Sequence, residues 1–63
     1  MAKTDVTVKL LGEYGNAFFI IGKVSKALKR AGHGDVVKSY QEQAMSGDYS
    51  HLLNVTTEFV NVE

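Results

Sequence analysis

The chain has 63 residues, seven Lys and Arg balanced by seven Asp and Glu, and no Cys. This length predicts a single small domain across residues 1–63, near the lower size limit for folding alone and without disulfide support. A net charge of zero disfavours nucleic-acid binding by charge alone. With only two His and no Cys, a zinc site would need carboxylates at spacings that suggest none. We therefore expect no metal and no cofactor.

The N-terminal MAKTDVTV lacks the long apolar run of a signal peptide. The longest apolar run covers residues 17–21 and is far shorter than a membrane span. The lack of Cys is typical of a reducing compartment. These features predict a cytoplasmic protein with no membrane partner.

Residues 5–10 alternate between polar and apolar side chains, and Val6, Val8 and Leu10 share one face. This alternation predicts a half-buried strand. The two glycines within residues 11–15 predict a turn after it.

The next segment has the period of an amphipathic helix. Asn16 is a suitable N-cap, and Gly32 is a suitable C-terminal stop. One apolar stripe is predicted to face the core. It contains Ala17, Ile20, Ile21, Val24, Ala27, Leu28 and Ala31.

A second helix is predicted from Val36 to about Ser46, with Asp35 as its N-cap and Gly47 after its end. Asp48 then predicts the start of a third helix from Tyr49 to Glu58. A short strand over residues 59–62 follows. The alternative for this last segment is a longer strand that starts at Asn54, because several β-formers occur there.

The expected architecture is α+β in the order β-α-α-α-β. We predict that the N-terminal and C-terminal strands form a small two-stranded antiparallel sheet. The helices are predicted to pack on one face of it, since a two-stranded sheet needs such cover.

Three stretches together resemble a family of small uncharacterised bacterial proteins, some encoded on phage or other mobile elements. They are GNAF at 15–18, IGKV through AG over 21–32, and AMSGDY at 44–49 with the following leucine pair. The resemblance covers most of the chain. It implies a small cytoplasmic protein of unknown function, transfers no catalytic residue, and favours helix after the Gly-Asp-Tyr.

The face of the first helix opposite the stripe holds Phe19, Lys23, Lys26 and Arg30. Cations beside an exposed aromatic ring could bind a nucleic-acid backbone and stack on a base. We favour a solvated helix face in which Phe19 packs against Tyr14 or the sheet. If Phe19 is exposed, self-association becomes the better interpretation.

Two other features have functional and structural interpretations. Ser46, Asp48 and His51 could suggest a hydrolase, but no strained nucleophile turn accompanies them, and helix capping accounts for Asp48. Gly22, beside Ser25, could form a docking groove for a partner. We favour close packing of a neighbouring element against Gly22, because glycine within a helix is about 1 kcal/mol less favourable than alanine.

The sequence thus contains no complete catalytic, metal or small-molecule site, and we expect that the chain is not an enzyme. We predict a non-enzymatic module that binds another protein or itself, for instance as a homodimer. The alternative is a nucleic-acid-binding accessory protein that uses the basic face of the first helix.

Overall fold

The computed structural model describes residues 3–10 and 16–63, so the predicted turn over 11–15 lies outside the described part. Strand β1 covers Thr7–Val8 and strand β2 covers Asn61–Val62. Between them lie helices α1 (Ala17–Arg30), α2 (Gly34–Ala44) and α3 (Tyr49–Phe59). The predicted element order is confirmed.

Local hydrogen bonds determine both ends of α1. The Asn16 side-chain oxygen accepts from the backbone N–H of Phe19 at 3.1 Å, as the capping prediction requires. At the other end, Gly32 has a φ of +86°. The His33 N–H then donates to the Leu28 carbonyl at 2.8 Å. This closing turn satisfies a carbonyl of the last helical turn and reverses the chain after a short connection.

Helix α2 differs from its prediction by about two residues at each end. It starts at Gly34, directly after the α1 closing turn, and its N-cap is His33 without a side-chain cap bond. Asp35 is therefore not the N-cap, and it lies in the first turn, where a carboxylate favours the positive end of the helix dipole. The helix ends at Ala44, two residues before Ser46.

Helix α3 begins as predicted, because the Asp48 carboxylate accepts from the His51 backbone N–H at 2.9 Å. The alternative strand from Asn54 is wrong. The segment turns its apolar residues to the core at helical spacing, so the helical period outweighs the β-propensity of individual residues. Its buried residues are Leu52, Val55, Thr56 and Phe59.

The two strands pair in parallel, with Thr7 opposite Asn61 and Val8 opposite Val62. The Asn61 N–H donates to the Val6 carbonyl at 2.8 Å. The predicted antiparallel sheet is therefore wrong, and both strands are shorter than predicted. In particular, Phe59 belongs to α3 rather than to the last strand.

Backbone hydrogen bonds show the parallel direction over the whole pair. The Glu58 and Phe59 carbonyls accept from Lys3 and Thr4, and Glu63 bonds to Val8 and Leu10, so both segments advance the same way. Parallel strands need a long crossover connection, commonly helical. Here the three helices between the strands provide it.

The core lies between the helices and the inner face of the strand pair, and buried aromatic rings fill its centre. The Tyr40 and Phe59 rings meet edge to face with their centroids 5.4 Å apart. The Tyr40 hydroxyl forms a 2.9 Å hydrogen bond with the hydroxyl of Thr56. The Lys3 ammonium lies 4.5 Å from the Phe59 ring centroid. Each polar atom in this region thus has a partner.

Candidate binding groove

The four residues predicted for the basic face lie on one side of an open groove of about 660 Å³ between α1 and β1. We call it the α1–β1 groove. The described residues that line it on α1 are Phe18, Phe19, Gly22, Lys23, Lys26, Ala27 and Arg30. Residues 7–9 line it on the strand side. A volume of this order is typical of binding sites in proteins.

Phe19 is 47% exposed, so about half of its surface is open to solvent. The predicted contact with Tyr14 lies outside the described residues. Phe18, which the sequence interpretation did not include among the candidates, is 79% exposed and lines the same groove. Its position outside the apolar stripe of α1 was the signal that could have identified it. Two adjacent phenylalanines at the surface present apolar area that the core does not use.

Gly22 lies in the α1–β1 groove, and none of the residues that the structure describes packs against it. A Cβ atom at this position would meet nothing within 4 Å. Within the described residues, no neighbouring element therefore packs closely against Gly22, as the favoured interpretation requires. Close packing is found instead at Ser25, one helical turn on, which is buried and accepts a 3.0 Å hydrogen bond from the Gln41 side chain of α2.

The charges lining the groove are all positive within the described residues. Lys9 lies on the strand side, and Lys23, Lys26 and Arg30 lie on α1. The Lys23 ammonium is 6.0 Å from the Phe19 ring centroid, at the outer limit of a cation–π contact. Among residues 3–10 and 16–63, no carboxylate lines this groove.

The neutral net charge therefore hides a strong separation along the chain. Residues 17–30 hold four cations and no carboxylate. Residues 34–63 hold five carboxylates and a single cation, Lys38. A local positive potential at the groove is thus compatible with a net charge of zero.

A smaller concavity of about 340 Å³ adjoins the other side of Phe18. Met45 and Tyr49, which are 57% and 36% exposed, line it beside the connection between α2 and α3. Phe18 lines both concavities. The exposed apolar surface is therefore continuous from the α1–β1 groove to this connection.

The Ser46, Asp48 and His51 cluster is a capping arrangement. His51 Nε2 lies 2.9 Å from the Gln43 carbonyl oxygen, which can only accept, so Nε2 carries a proton. The Ser46 hydroxyl donates to the same carbonyl at 2.7 Å. His51 therefore presents a proton donor, not a base, to Ser46 at 3.1 Å. The ring satisfies the end of α2 rather than activating a nucleophile.

Within the part of the chain that the structure describes, no three His, Asp or Glu side chains come together as metal ligands. No helix there combines the length and the apolar character needed to cross a bilayer. No family model, curated protein or solved structure matches the chain. The resemblance to small bacterial and phage-type proteins therefore stays a prediction.

Proposed function

We propose that this chain is a non-enzymatic interaction module that binds an acidic, partly apolar segment of a partner protein in the α1–β1 groove. The observation that carries the proposal is Gly22. It lies inside a helix, where glycine is about 1 kcal/mol less favourable than alanine, and no contact within the described residues accounts for it. A partner that enters the groove supplies a reason for leaving this position without a side chain.

The exposed rings and the charges support the chemistry of that partner. Phe18 and Phe19 offer aromatic area, which often supplies the main contacts of protein interfaces. Lys26 and Arg30 add positive charge along the same wall. A segment with apolar side chains and carboxylates would match both features.

Nucleic acid is the second candidate, because Phe19 is exposed beside Lys26 and Arg30. A phosphate backbone would meet the same cations, and a base could stack on the ring. We place this candidate second because the acidic residues of 34–63 would repel the rest of a long polyanion.

Selection of displayed random peptides on the whole chain tests the proposal. We expect selected peptides to combine Asp or Glu with apolar residues, and their binding to weaken as salt rises. The substitution Gly22→Leu should weaken the binding of the selected peptides by about tenfold or more, because the new side chain enters the groove. Selected peptides that bind Gly22→Leu and wild type equally would contradict the proposal.

Gly34→Leu is the matched control. Gly34 also lies in a helix with nothing within 4 Å of an added Cβ, and it does not line the groove. Both substitutions replace glycine by a better helix former, so neither is expected to unfold the domain. A second experiment measures the binding of labelled single-stranded DNA and RNA to the chain at about 20–50 mM salt. Tighter binding of nucleic acid than of the selected peptides would favour the nucleic-acid candidate.

A further inference from the structure

The outer edge of β1 carries backbone groups that nothing in the described chain satisfies. Val6 and Val8 direct their carbonyls to β2, where they accept from Asn61 and Glu63. Along a strand, successive residues direct their backbone groups to opposite edges. Thr7 and Lys9 therefore direct theirs away from β2, and neither makes a backbone hydrogen bond within residues 3–10 and 16–63.

This unpaired edge borders the α1–β1 groove, since Thr7 and Lys9 are among its lining residues. The paired stretch of the strand extends beyond Thr7–Val8. The Thr4 N–H donates to the Phe59 carbonyl at 3.2 Å, and the Leu10 N–H donates to the Glu63 carbonyl at 3.0 Å. The edge of residues 4–10 that lies away from the groove is thus hydrogen-bonded to residues 59–63.

We infer that the acidic partner segment binds in extended form and adds to β1 as a third strand. The inference rests on the proposed function and specifies how the groove is filled. Strand addition gives affinity through main-chain hydrogen bonds and specificity through alternate side chains. Here the N–H and C=O groups of Thr7 and Lys9 would bind the segment's backbone. Its inward side chains would meet Phe19, Gly22 and Ala27.

A second copy of this chain fits the edge less well. Adding its own β1 would bring a second Lys9 to a groove already lined by Lys26 and Arg30. Like charges placed close together on neighbouring strands are destabilising. An acidic strand from another protein would instead offset these charges.

Nucleic acid also fits the edge less well. A phosphodiester can accept from the Thr7 and Lys9 N–H groups, but it has no donor for their carbonyls. A peptide backbone supplies both a donor and an acceptor at each residue. The alternation of donors and acceptors along this edge therefore favours a polypeptide.

The test uses the whole chain and a capped peptide of about eight alternating valine and glutamate residues, a usual strand length. Of two further peptides with the same sequence, one is N-methylated at every valine and the other at every glutamate. Only one of these two sets of amides can face β1. We expect one methylated peptide to bind at least about tenfold more weakly and the other to bind about as well as the parent.

Amide hydrogen exchange gives a second readout. Exchange at Thr7 and Lys9 should slow when the unmethylated peptide is bound, because their N–H groups become hydrogen-bonded. The Asn61 and Glu63 amides, already bonded to β1, provide the internal reference. Protection of Thr7 and Lys9 that rises with protein concentration in the absence of peptide would overturn the inference in favour of a second copy.

The failures of the two proposals are distinguishable. If both methylated peptides bind like the parent and Thr7 and Lys9 are not protected, strand addition is wrong, while groove binding through side chains stands. If peptides from the display selection bind but the alternating peptide does not, the extended form is wrong. If no acidic peptide binds at all, both proposals are wrong.

Discussion

The two sides of the domain use their aromatic residues in opposite ways. Around Tyr40, Thr56 and Phe59, every ring and hydroxyl is buried and has a partner. At the α1–β1 groove, Phe18 and Phe19 are exposed. Core packing accounts for the buried rings around Tyr40. It does not account for the exposed rings at the groove, so the groove is the surface at which we look for a function.

The largest expected effect separates the two sides directly. Phe59→Ala should lower the free energy of unfolding by about 3–5 kcal/mol, because it removes a fully buried ring that contacts Tyr40. Urea unfolding followed by circular dichroism measures the change. The matched substitution Phe18→Ala, at a ring that is 79% exposed, should stay within about 0.5 kcal/mol of wild type. Equal losses in both variants would remove the contrast.

The next effect concerns the buried hydroxyl pair. Tyr40→Phe should lower the free energy of unfolding by about 1–2 kcal/mol, since the Thr56 hydroxyl loses its partner in the core. Chemical denaturation at neutral pH measures this change. Thr57 is an exposed hydroxyl on the same helix, so Thr57→Val is the control, with little expected effect.

Burial also raises the pKa of the Tyr40 hydroxyl above its ordinary value, although the hydrogen bond with Thr56 opposes the rise. The folded state therefore holds this proton more tightly than the unfolded state. Its contribution to stability is complete below pH 10 and is lost as the pH rises through the higher pKa of the folded state. Stability measured from pH 8 to pH 12 should fall more steeply for wild type than for Tyr40→Phe. Parallel curves would contradict this assignment.

Substitutions at two glycines, Gly47 in the connection between α2 and α3 and Gly22 inside α1, should give smaller effects of opposite sign. A Cβ at Gly47 would lie 2.8 Å from the His51 ring, so Gly47→Ala should displace the ring from the Gln43 carbonyl. We expect the free energy of unfolding of Gly47→Ala to fall by about 1 kcal/mol. Gly22→Ala, with open space around the new methyl, should instead raise the free energy of unfolding by about 0.8–1 kcal/mol. Thermal unfolding of both variants under one set of conditions tests the opposite signs.

The sequence was informative where local hydrogen bonds determine the structure. Asn16, Gly32 and Asp48 each predicted a helix boundary, and the structure places a boundary at each. The predicted boundary at Asp35 was wrong, because α2 begins at Gly34, directly after the turn that closes α1. Neighbouring elements, rather than the residue's own capping tendency, determined that position.

Tertiary features were harder to predict. The alternation around Val8 indicates a strand but says nothing of the direction of its partner, which depends on the path of the three-helix crossover before Asn61. The periodicity of α1 placed Phe19 outside the stripe but could not say whether another element covers it. Gly22 was interpreted through a packing partner that the described chain does not provide.

The pairing of residues 3–10 with residues 58–63 also bears on how the chain folds. Thr7 and its partner Asn61 are about fifty residues apart, whereas the hydrogen bonds of the three helices are local. Strand pairing therefore closes a longer loop than helix formation does, and this costs more chain entropy. Until Asn61–Glu63 reach β1, neither edge of that strand is paired by β2, so a partly folded chain presents more open strand edge than the folded one.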